Sequence, residues 1–470
     1  MRKIMIASLL LCGACSMNPK LERPAPPVAP AFAGAAADEP ASAAAIAWQD
    51  AFRDPRLQRL IALALDNNRD LRITALNVEA ARAQFRVARG AQLPSIDANV
   101  GYTRQRVPAG GALGGAGPGG GAPAGAGFEF GQFSANAALT SFEIDLFGRL
   151  RSLSQAAFER YLASDEGRRA ARIALIGSVV DAYLDERLAD EQLALTERTL
   201  ATWQQSLDIT RRLRAAEQNS GLDIAQAEGL VRQAEADKEA RVRARAQAAN
   251  QLQLLVGAPL PDDLPPPMPL LEQPIRTELP AGLPSDLLTN RPDIRQAEHD
   301  LMAANADVGA ARAAFFPRLS LTGLIGLASP TLGNLFEGGS RNWSFAPQIS
   351  QPIFHGGSLR GELRLSEVRK SIAIAQYERA IQNAFREVSD GLAGRATYAR
   401  QALAQTGAAD AADRRAQLAD LRYRAGVDSR LELLDAQRSE YAARQTLLDL
   451  KRDELSSASG LYRALGGGDR

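Results

Sequence analysis

The amino-acid sequence repeats itself at long range, and this duplication limits the possible folds more than any other feature. Displacing the chain by 223 residues places Pro94 on Pro317. Beyond the glycine-rich segment 108–127 the best displacement is 209 residues, and Asp181 then falls on Asp390. A period of this length indicates a duplicated domain and excludes a solenoid of short repeats.

Both halves have the same order of predicted elements. A helix comes first, at about 56–90 in one half and 284–315 in the other. Two stretches with alternating apolar and polar residues follow, as in half-buried strands. The predicted strands are 94–106, 132–146, 317–328 and 342–354. Pro347 favours an edge strand or a bulge for the last of them.

Each strand pair is followed by a long helical run. Residues 150–212 and 359–424 contain no proline, and 63 residues of helix would extend roughly 95 Å. Second helices are predicted at 222–256 and 430–463. Helices of this length exceed the globular norm. Polar residues interrupt their apolar faces, so we expect them to need lateral neighbours, as in a coiled-coil wall.

The N-terminus has the pattern of a targeting segment. A basic start and a short apolar run end in small residues before Cys15. We expect a lipoprotein signal peptide at 1–14, a lipid on Cys15, and a Pro/Ala-rich tether over 15–47. Cys12 occupies the place where such signals usually have leucine, so an ordinary secretory signal with incidental cysteines is the alternative.

The remaining sequence divides into a first repeat at 48–260, a Pro-rich linker at 261–283 and a second repeat at 284–470. With 55 basic and 54 acidic side chains, the chain has no electrostatic signature of nucleic-acid binding. His299 and His355 are isolated, and we find no metal-ligand cluster. No nucleophile–base pair stands out either, which argues against an enzyme.

The number of strands constrains any membrane fold. One chain supplies four predicted strands, whereas a closed membrane barrel needs at least about eight. Open sheet edges are not tolerated in hydrocarbon. A barrel would therefore require an oligomer, with eight strands from two chains or twelve from three. The alternative is a soluble helical protein with two hairpins.

Six stretches of the sequence carry a family resemblance. They are CSMNP (15–19), NRPDIRQAE (290–298), AANADVGAARAAFFPRLSLTG (303–323), QPIFHGG (351–357), AFREVSDGLA (384–393) and YRAGVDSRLELLDAQR (423–438). In these stretches the chain resembles the TolC/OprM family of outer-membrane efflux lipoproteins, the NodT-type outer-membrane factors of RND efflux systems. The resemblance covers nearly the whole chain after the signal.

The resemblance implies a mainly α fold with a membrane β-barrel. Three chains would form a twelve-stranded β-barrel continued by a twelve-helix periplasmic α-barrel. It also implies a homotrimer that conducts small molecules out of the cell, together with a periplasmic membrane-fusion adaptor and an inner-membrane RND-type transporter. No cofactor is expected beyond the lipid on Cys15. Antibiotics, dyes, solvents, metals and secreted proteins remain open as cargo. The rival hypothesis is a periplasmic helical scaffold or adaptor lipoprotein without a pore.

The resemblance also implies a periplasmic gate in the 423–438 stretch. Its predicted members are a carboxylate ring at Asp435, a second acid at Glu432, an apolar plug at Leu431, a basic partner at Arg438, Tyr423 across the turn, and Asp223 as the first-half counterpart of Glu432. The alternative is that Asp435 and Arg438 form an ordinary exposed i,i+3 pair.

Two further features are assigned by position. We expect the glycine-rich segment 108–127 to be an extracellular loop or cap, because it lacks the lysine and hydroxyl residues of a phosphate-binding loop. Four aromatic residues near the strands predict either an interfacial girdle or core packing: Phe128, Phe130, Trp343 and Phe345.

Overall fold

The computed structural model describes residues 16–29, 31–32, 46–107, 128–280 and 284–468. Cys15 and the glycine-rich segment 108–127 lie outside these ranges. The helices, numbered in chain order, are α1 Trp48–Ala51, α2 Pro55–Asn67, α3 Arg69–Gly90, α4 Arg149–Ala215, α5 Gly221–Val256, α6 Pro284–Asn290, α7 Pro292–Ala313, α8 Ser358–Arg424 and α9 Arg430–Ala464.

The chain forms two compact units. The first consists of Met1–Arg23, Ala80–Tyr161 and His299–Ile374, and the second of Pro24–Glu79, Leu162–Glu298 and Ala375–Arg470. The unit boundaries fall within α3, α4, α7 and α8.

The duplication seen in the sequence recurs in the helix boundaries. The bounds of α3 and α7 differ by 223 residues at both ends, and those of α4 and α8 differ by 209. The long helices agree with the sequence prediction to within three residues at each end. The two halves are therefore built alike, element by element.

The first helix of each half is broken, which corrects the prediction of single helices at 56–90 and 284–315. Asn68 adopts an extended conformation after α2, and its side chain then caps the next helix by accepting from the backbone N–H of Leu71 at 2.9 Å. In the second half the break falls at Arg291, directly before Pro292, and a residue that precedes proline disfavours the helical conformation.

Within the second unit, both halves have the same contact: the glycine at the end of the last helix of the half packs against the end of its α2 or α6 helix. Gly257 ends α5 and Gly466 follows α9, both with positive φ, at 73° and 84°. A Cβ at Gly257 would lie 2.6 Å from the carbonyl oxygen of Asn67, and one at Gly466 would lie 2.9 Å from that of Asn290. Only glycine satisfies both the left-handed conformation and the close approach.

The main apolar core of the second unit surrounds α2 and α4. Leu57, Leu60 and Tyr183 are among its fully buried side chains. The Tyr183 hydroxyl donates to the Asp54 carboxylate, and Asp54 also caps α2 by accepting from Arg56 N–H at 2.8 Å. Burial next to this carboxylate raises the pKa of Tyr183. The Tyr183 hydroxyl and the Asp54 carboxylate are thus paired, as burial requires.

The first unit contains one antiparallel sheet of four strands. These are β1 Ile96–Val107, β2 Phe128–Ile144, β3 Arg318–Ser329 and β4 Arg341–Ser350, and they lie in sequence order. β2 pairs with β3, so the strand pairs of the two halves form a single sheet. β4 lies at an edge as Pro347 predicted, with Pro347 opposite Leu321 in regular register.

One face of this sheet is apolar and exposed. Alternate residues from neighbouring strands share it, as the register of Tyr102 with Phe133 and of Ile325 with Trp343 shows. Trp343 is 75% exposed and Phe345 is 64% exposed, so neither is packed in a core of this chain. Monomeric soluble proteins rarely expose an apolar surface of this extent. The face therefore requires an apolar environment outside the chain.

Candidate functional site

The predicted gate residues lie where α8 turns into α9, in the second unit. Gly426 has φ 71° and its N–H donates to the carbonyl of Tyr423 at 3.0 Å. Val427 N–H donates to the carbonyl of Arg422 at 2.9 Å, which completes a glycine-dependent helix end. Ser429 then caps α9 by accepting from Glu432 N–H. This short turn makes α8 and α9 an antiparallel hairpin.

The counterpart turn of the first half has the same hydrogen bonds but no glycine. Glu217 has φ 61° and donates its N–H to the carbonyl of Arg214 at 2.9 Å. Its counterpart at an offset of 209 residues is Gly426. The backbone of this turn is therefore repeated in both halves, although its sequence is not.

A small apolar cluster joins the two helices of the second hairpin. Ala416 and Ala419 on α8 are buried against Leu433 and Ala436 on α9. Tyr423 is half-buried and packs against the same cluster. Small alanine side chains allow the two helices to approach closely. This packing determines which way the neighbouring polar side chains point.

A cross-hairpin charge cluster places two of the predicted acids together. Arg415 on α8 donates from Nη2 to Glu432 at 2.8 Å and to Asp435 at 2.9 Å. Arg438 donates to the other oxygen of Asp435 at 2.9 Å. The predicted Asp435–Arg438 pair is therefore present, and Glu432 lies on the same face as Asp435.

The electrostatics of the cluster favour an ionised Asp435. The hydrogen bond from Arg415, supported by the charge of Arg438, lowers the pKa of Asp435 below its ordinary value of 3.8. The side chains of Arg415 and Asp435 are 45% and 38% exposed. Solvent-exposed pairs are individually weak, so each ion pair of the cluster contributes little to the stability of the hairpin.

Tyr423 makes a different contact from the acids. Its hydroxyl accepts from Arg430 Nη1 at 3.5 Å, and the guanidinium carbon of Arg430 lies 5.4 Å from the ring centroid. Arg430 is buried and also donates to the backbone carbonyl of Ser206 on α4 at 3.1 Å. Arg430 thus links the second hairpin to α4.

Leu431 and Asp223 occupy distinct environments. Leu431 is 61% exposed. Asp223 forms a capping box with Ser220, accepting from its N–H at 2.9 Å and from its hydroxyl at 2.7 Å. These hydrogen bonds lower the pKa of Asp223. The carboxylate of Asp223 thus acts on its own helix, whereas that of its counterpart Glu432 binds Arg415.

Sequence reasoning missed Arg415, Arg430 and the turn-closing Arg422. Arg422 makes two hydrogen bonds to Asp428, at 2.7 and 2.8 Å. The register of an antiparallel hairpin with its turn near residue 426 would have placed Arg415 opposite Asp435. Nothing in the local sequence distinguishes it from neighbouring arginines such as Arg414.

The sequence model of the outer membrane efflux protein family matches residues 60–258 and 283–467. The two matched segments cover most of the chain. The chain belongs to the outer membrane efflux protein family. As a member it is an efflux channel protein of the outer membrane.

Curated and solved relatives agree with this assignment over nearly the full length. The chain is 45% identical to the solvent efflux pump outer membrane protein SrpC of Pseudomonas putida, over 98% of this chain and 97% of that protein. A membrane protein of Pseudomonas aeruginosa has a similar structure, with TM-score 0.89, 43% identity and coverage of 97% and 98%. The open-state MtrE outer membrane channel of Neisseria gonorrhoeae gives TM-score 0.87, 39% identity and coverage of 97% and 99%.

Two kinds of feature are absent from the described residues. Within those ranges, no set of three or more His, Cys, Asp or Glu side chains is arranged to hold a metal ion. None of the helices in the described part of the chain combines the length and apolar character needed to cross a bilayer.

Proposed function

We propose that this outer membrane efflux protein is the exit duct of a tripartite efflux system. Three copies would form a twelve-stranded β-barrel in the outer membrane, continued by a twelve-helix α-barrel in the periplasm. Conduction would be passive, with no catalytic step. The observation that carries the proposal is the exposed apolar face of the four-stranded sheet, which a lipid bilayer would cover.

The edges of the sheet support association of several copies. β1 and β4 each pair with one neighbour among the described strands. An unpaired edge presents free N–H and C=O groups, which hydrocarbon cannot satisfy. Pairing β4 of one copy with β1 of the next would remove both edges and repeat the internal β2–β3 pairing.

The burial of the helices supports the same arrangement. No residue of α3 is buried, whereas its counterpart α7 buries Leu301 and Val308. Within the chain α7 contacts α4 through His299, whose Nδ1 lies 2.8 Å from Glu159 Oε2. At the same offsets the counterparts of this pair are Leu76 and Val368, which are 52% and 39% exposed. We infer that α3 of one copy packs against α8 of the next.

We propose the cross-hairpin charge cluster as the periplasmic gate. In a threefold ring, Asp435 and Glu432 would give carboxylate rings, and Arg415 and Arg438 would offset their mutual repulsion. Leu431 would form the apolar plug. Tyr423 would hold the hairpin to α4 through Arg430, and Asp223 would add negative charge at the first-half hairpin.

The relatives support the cargo and partners. SrpC belongs to a solvent efflux pump, which favours small apolar molecules and drugs as cargo. A tripartite pump further requires a periplasmic membrane-fusion adaptor and an inner-membrane transporter of the RND type. We propose that Cys15 carries the lipid that anchors the chain in the outer membrane. We also propose that the chain consists of two repeats, at 48–260 and 284–470.

Single-channel conductance in planar bilayers tests the proposal. Purified protein should give small steps, because the proposed gate would narrow the pore. Asp435→Ala should give larger steps. Equal steps from both proteins would retain the channel and refute the gate. Correctly assembled protein with no conductance would favour the helical scaffold instead.

A further inference from the structure

The short segment after residue 15 is bound in the first unit by both α4 and α7. The hydroxyl of Ser152 donates to Asn18 Oδ1 at 2.8 Å, and Asn18 Nδ2 donates to Gln155 Oε1 at 2.9 Å. Asn305 Nδ2 donates to the backbone carbonyl of Pro19 at 3.0 Å. Ser152 and Asn305 are buried. Three hydrogen bonds to two helices therefore fix two consecutive residues of a segment without regular secondary structure.

Gly309 provides the space that Asn18 occupies. A Cβ at Gly309 would overlap Oδ1 of Asn18 and lie 2.9 Å from its Cα. Gly309 lies within α7, where glycine is less favourable than alanine. The helix therefore carries an unfavourable residue at the point where the segment crosses it. We refer to Ser152, Gln155, Asn305 and Gly309 as the N-terminal seat.

The duplication allows the seat residues to be compared with their counterparts in the other half, and the two sets differ. If the halves were equivalent here, the same groove would exist between α3 and α8. At the offsets of 209 and 223 residues the seat residues are replaced by Gly361, Arg364, Arg82 and Arg86. An arginine in place of Gly309 fills the space of Asn18, and arginine offers no acceptor for its amide. Among the described residues, the counterpart positions in the other half thus lack the features of the seat.

We propose that residues 16–19 are an intramolecular ligand of this seat, which positions the lipid-bearing N-terminus against the strand-containing unit. Three peptide units reach at most about 11 Å, so binding of Asn18 limits how far a lipid on Cys15 can lie from the seat. The anchoring role rests on the proposed lipidation and membrane function. The binding of the segment rests on the contacts alone.

Positioning would matter because two membrane-binding elements on one rigid body act together. A lipid held close to the unit that contains the strands would raise the effective concentration of those strands at the bilayer. The same lipid on a released tether would hold the protein near the membrane without orienting the sheet. The seat is therefore expected to speed the assembly of lipidated protein.

Trypsin cleavage after Lys20 tests the binding. The bond to Leu21 is the susceptible one in this segment, since Arg23 precedes Pro24. A protease needs several residues on each side of the bond in extended, released form. Gly309→Ala and Asn18→Ala in the full-length protein should each raise the cleavage rate about tenfold, measured by mass spectrometry.

Gly361→Ala is the matched control for helix propensity. Gly361 lies within α8, in the same unit, and a Cβ there meets no atom within 4 Å. Gly309→Ala and Gly361→Ala both gain helix propensity. If cleavage is faster in Gly309→Ala but not in Gly361→Ala, the cause must be the overlap with Asn18. Wild-type cleavage rates in Gly309→Ala and Asn18→Ala would overturn the proposal. Should Gly309→Ala fail to fold, Asn18→Ala decides, because it leaves α7 unchanged.

Assembly kinetics test the anchoring role. In lipidated protein, Asn18→Ala should slow the appearance of protease-protected strands in outer-membrane vesicles, and in a Cys15→Ser background it should have no further effect. An Asn18→Ala variant that releases the segment yet assembles at the wild-type rate would overturn the positioning role. Conductance tests the proposed channel function, and trypsin cleavage tests the binding of residues 16–19 to the seat. The two proposals can therefore be refuted independently of each other.

Discussion

Asp435 accepts a hydrogen bond from Arg415 at 2.9 Å across the α8–α9 hairpin. The two residues are 20 positions apart in the sequence and lie on different helices. Their contact places Asp435 in the cross-hairpin charge cluster. The contact also allows the proposed gate to be tested by substituting Arg415, which leaves the Asp435 carboxylate in place.

Arg415→Ala should open the proposed gate. The substitution leaves Asp435 and Glu432 without their shared cation, so the acidic rings would repel one another more strongly. We expect the open fraction to rise about two- to fivefold, the size that exposed ion pairs support, in single-channel recordings. Arg386→Ala is the control, since Arg386 pairs with Asp390 within α8 alone. Equal effects of the two variants would rule out a specific role for Arg415.

Acidification should not open the gate in the physiological range. Because the pKa of Asp435 is lowered below 3.8 in the cluster, its ion pairs persist at neutral pH. They are lost only as the pH falls through that lowered value. Conductance should therefore stay constant between about pH 7 and about pH 5. An opening transition with its midpoint inside this interval would assign the gate to another group.

Glu217→Gly should stabilise the first-half hairpin. Glu217 adopts φ 61°, which costs a residue with a Cβ about 1 kcal/mol, whereas glycine adopts it freely. Amide hydrogen exchange over residues 212–218 should slow by about fivefold. The reciprocal variant Gly426→Ala should accelerate exchange at the second turn by a similar factor. Unchanged exchange in both would show that the turns carry no strain.

Adjacent copies should be linked through Leu76 and Val368. The internal α4–α7 contact predicts that these residues lie opposite each other between copies. A Leu76→Cys, Val368→Cys double variant in a Cys12→Ser, Cys15→Ser background, which removes both native cysteines, should give covalent trimers with a short bis-maleimide. Each single variant is the control, because one thiol per chain does not close a ring. Only monomers from the assembled double variant would contradict the α3–α8 packing.

Most elements of the fold could be predicted from the sequence because their signals are local. Proline-free helical stretches, alternating strands and the two displacements predicted the long helices and the four strands closely. The breaks at Asn68 and Arg291 were missed. Asn68 is fixed by donating to the carbonyl of Leu255 at 2.8 Å, and Arg291 by donating to that of Ala464 at 3.0 Å. The partner of Asn68 is so distant in the chain that it leaves no local pattern, whereas Pro292 was a local signal for the break at Arg291.

The candidate site was predicted in part for the same reason. Asp435, Glu432 and Arg438 are close in the sequence and share one helix, so their common face follows from helical periodicity. Arg415 enters only through the register of the hairpin, which depends on its turn and on the buried alanines beside it. The duplication, the element order and the acid pair were thus determined by the sequence. The pairing of β2 with β3, the arginine across the hairpin and the seat over Gly309 were decided by the tertiary structure, because each joins residues that only chain folding brings together.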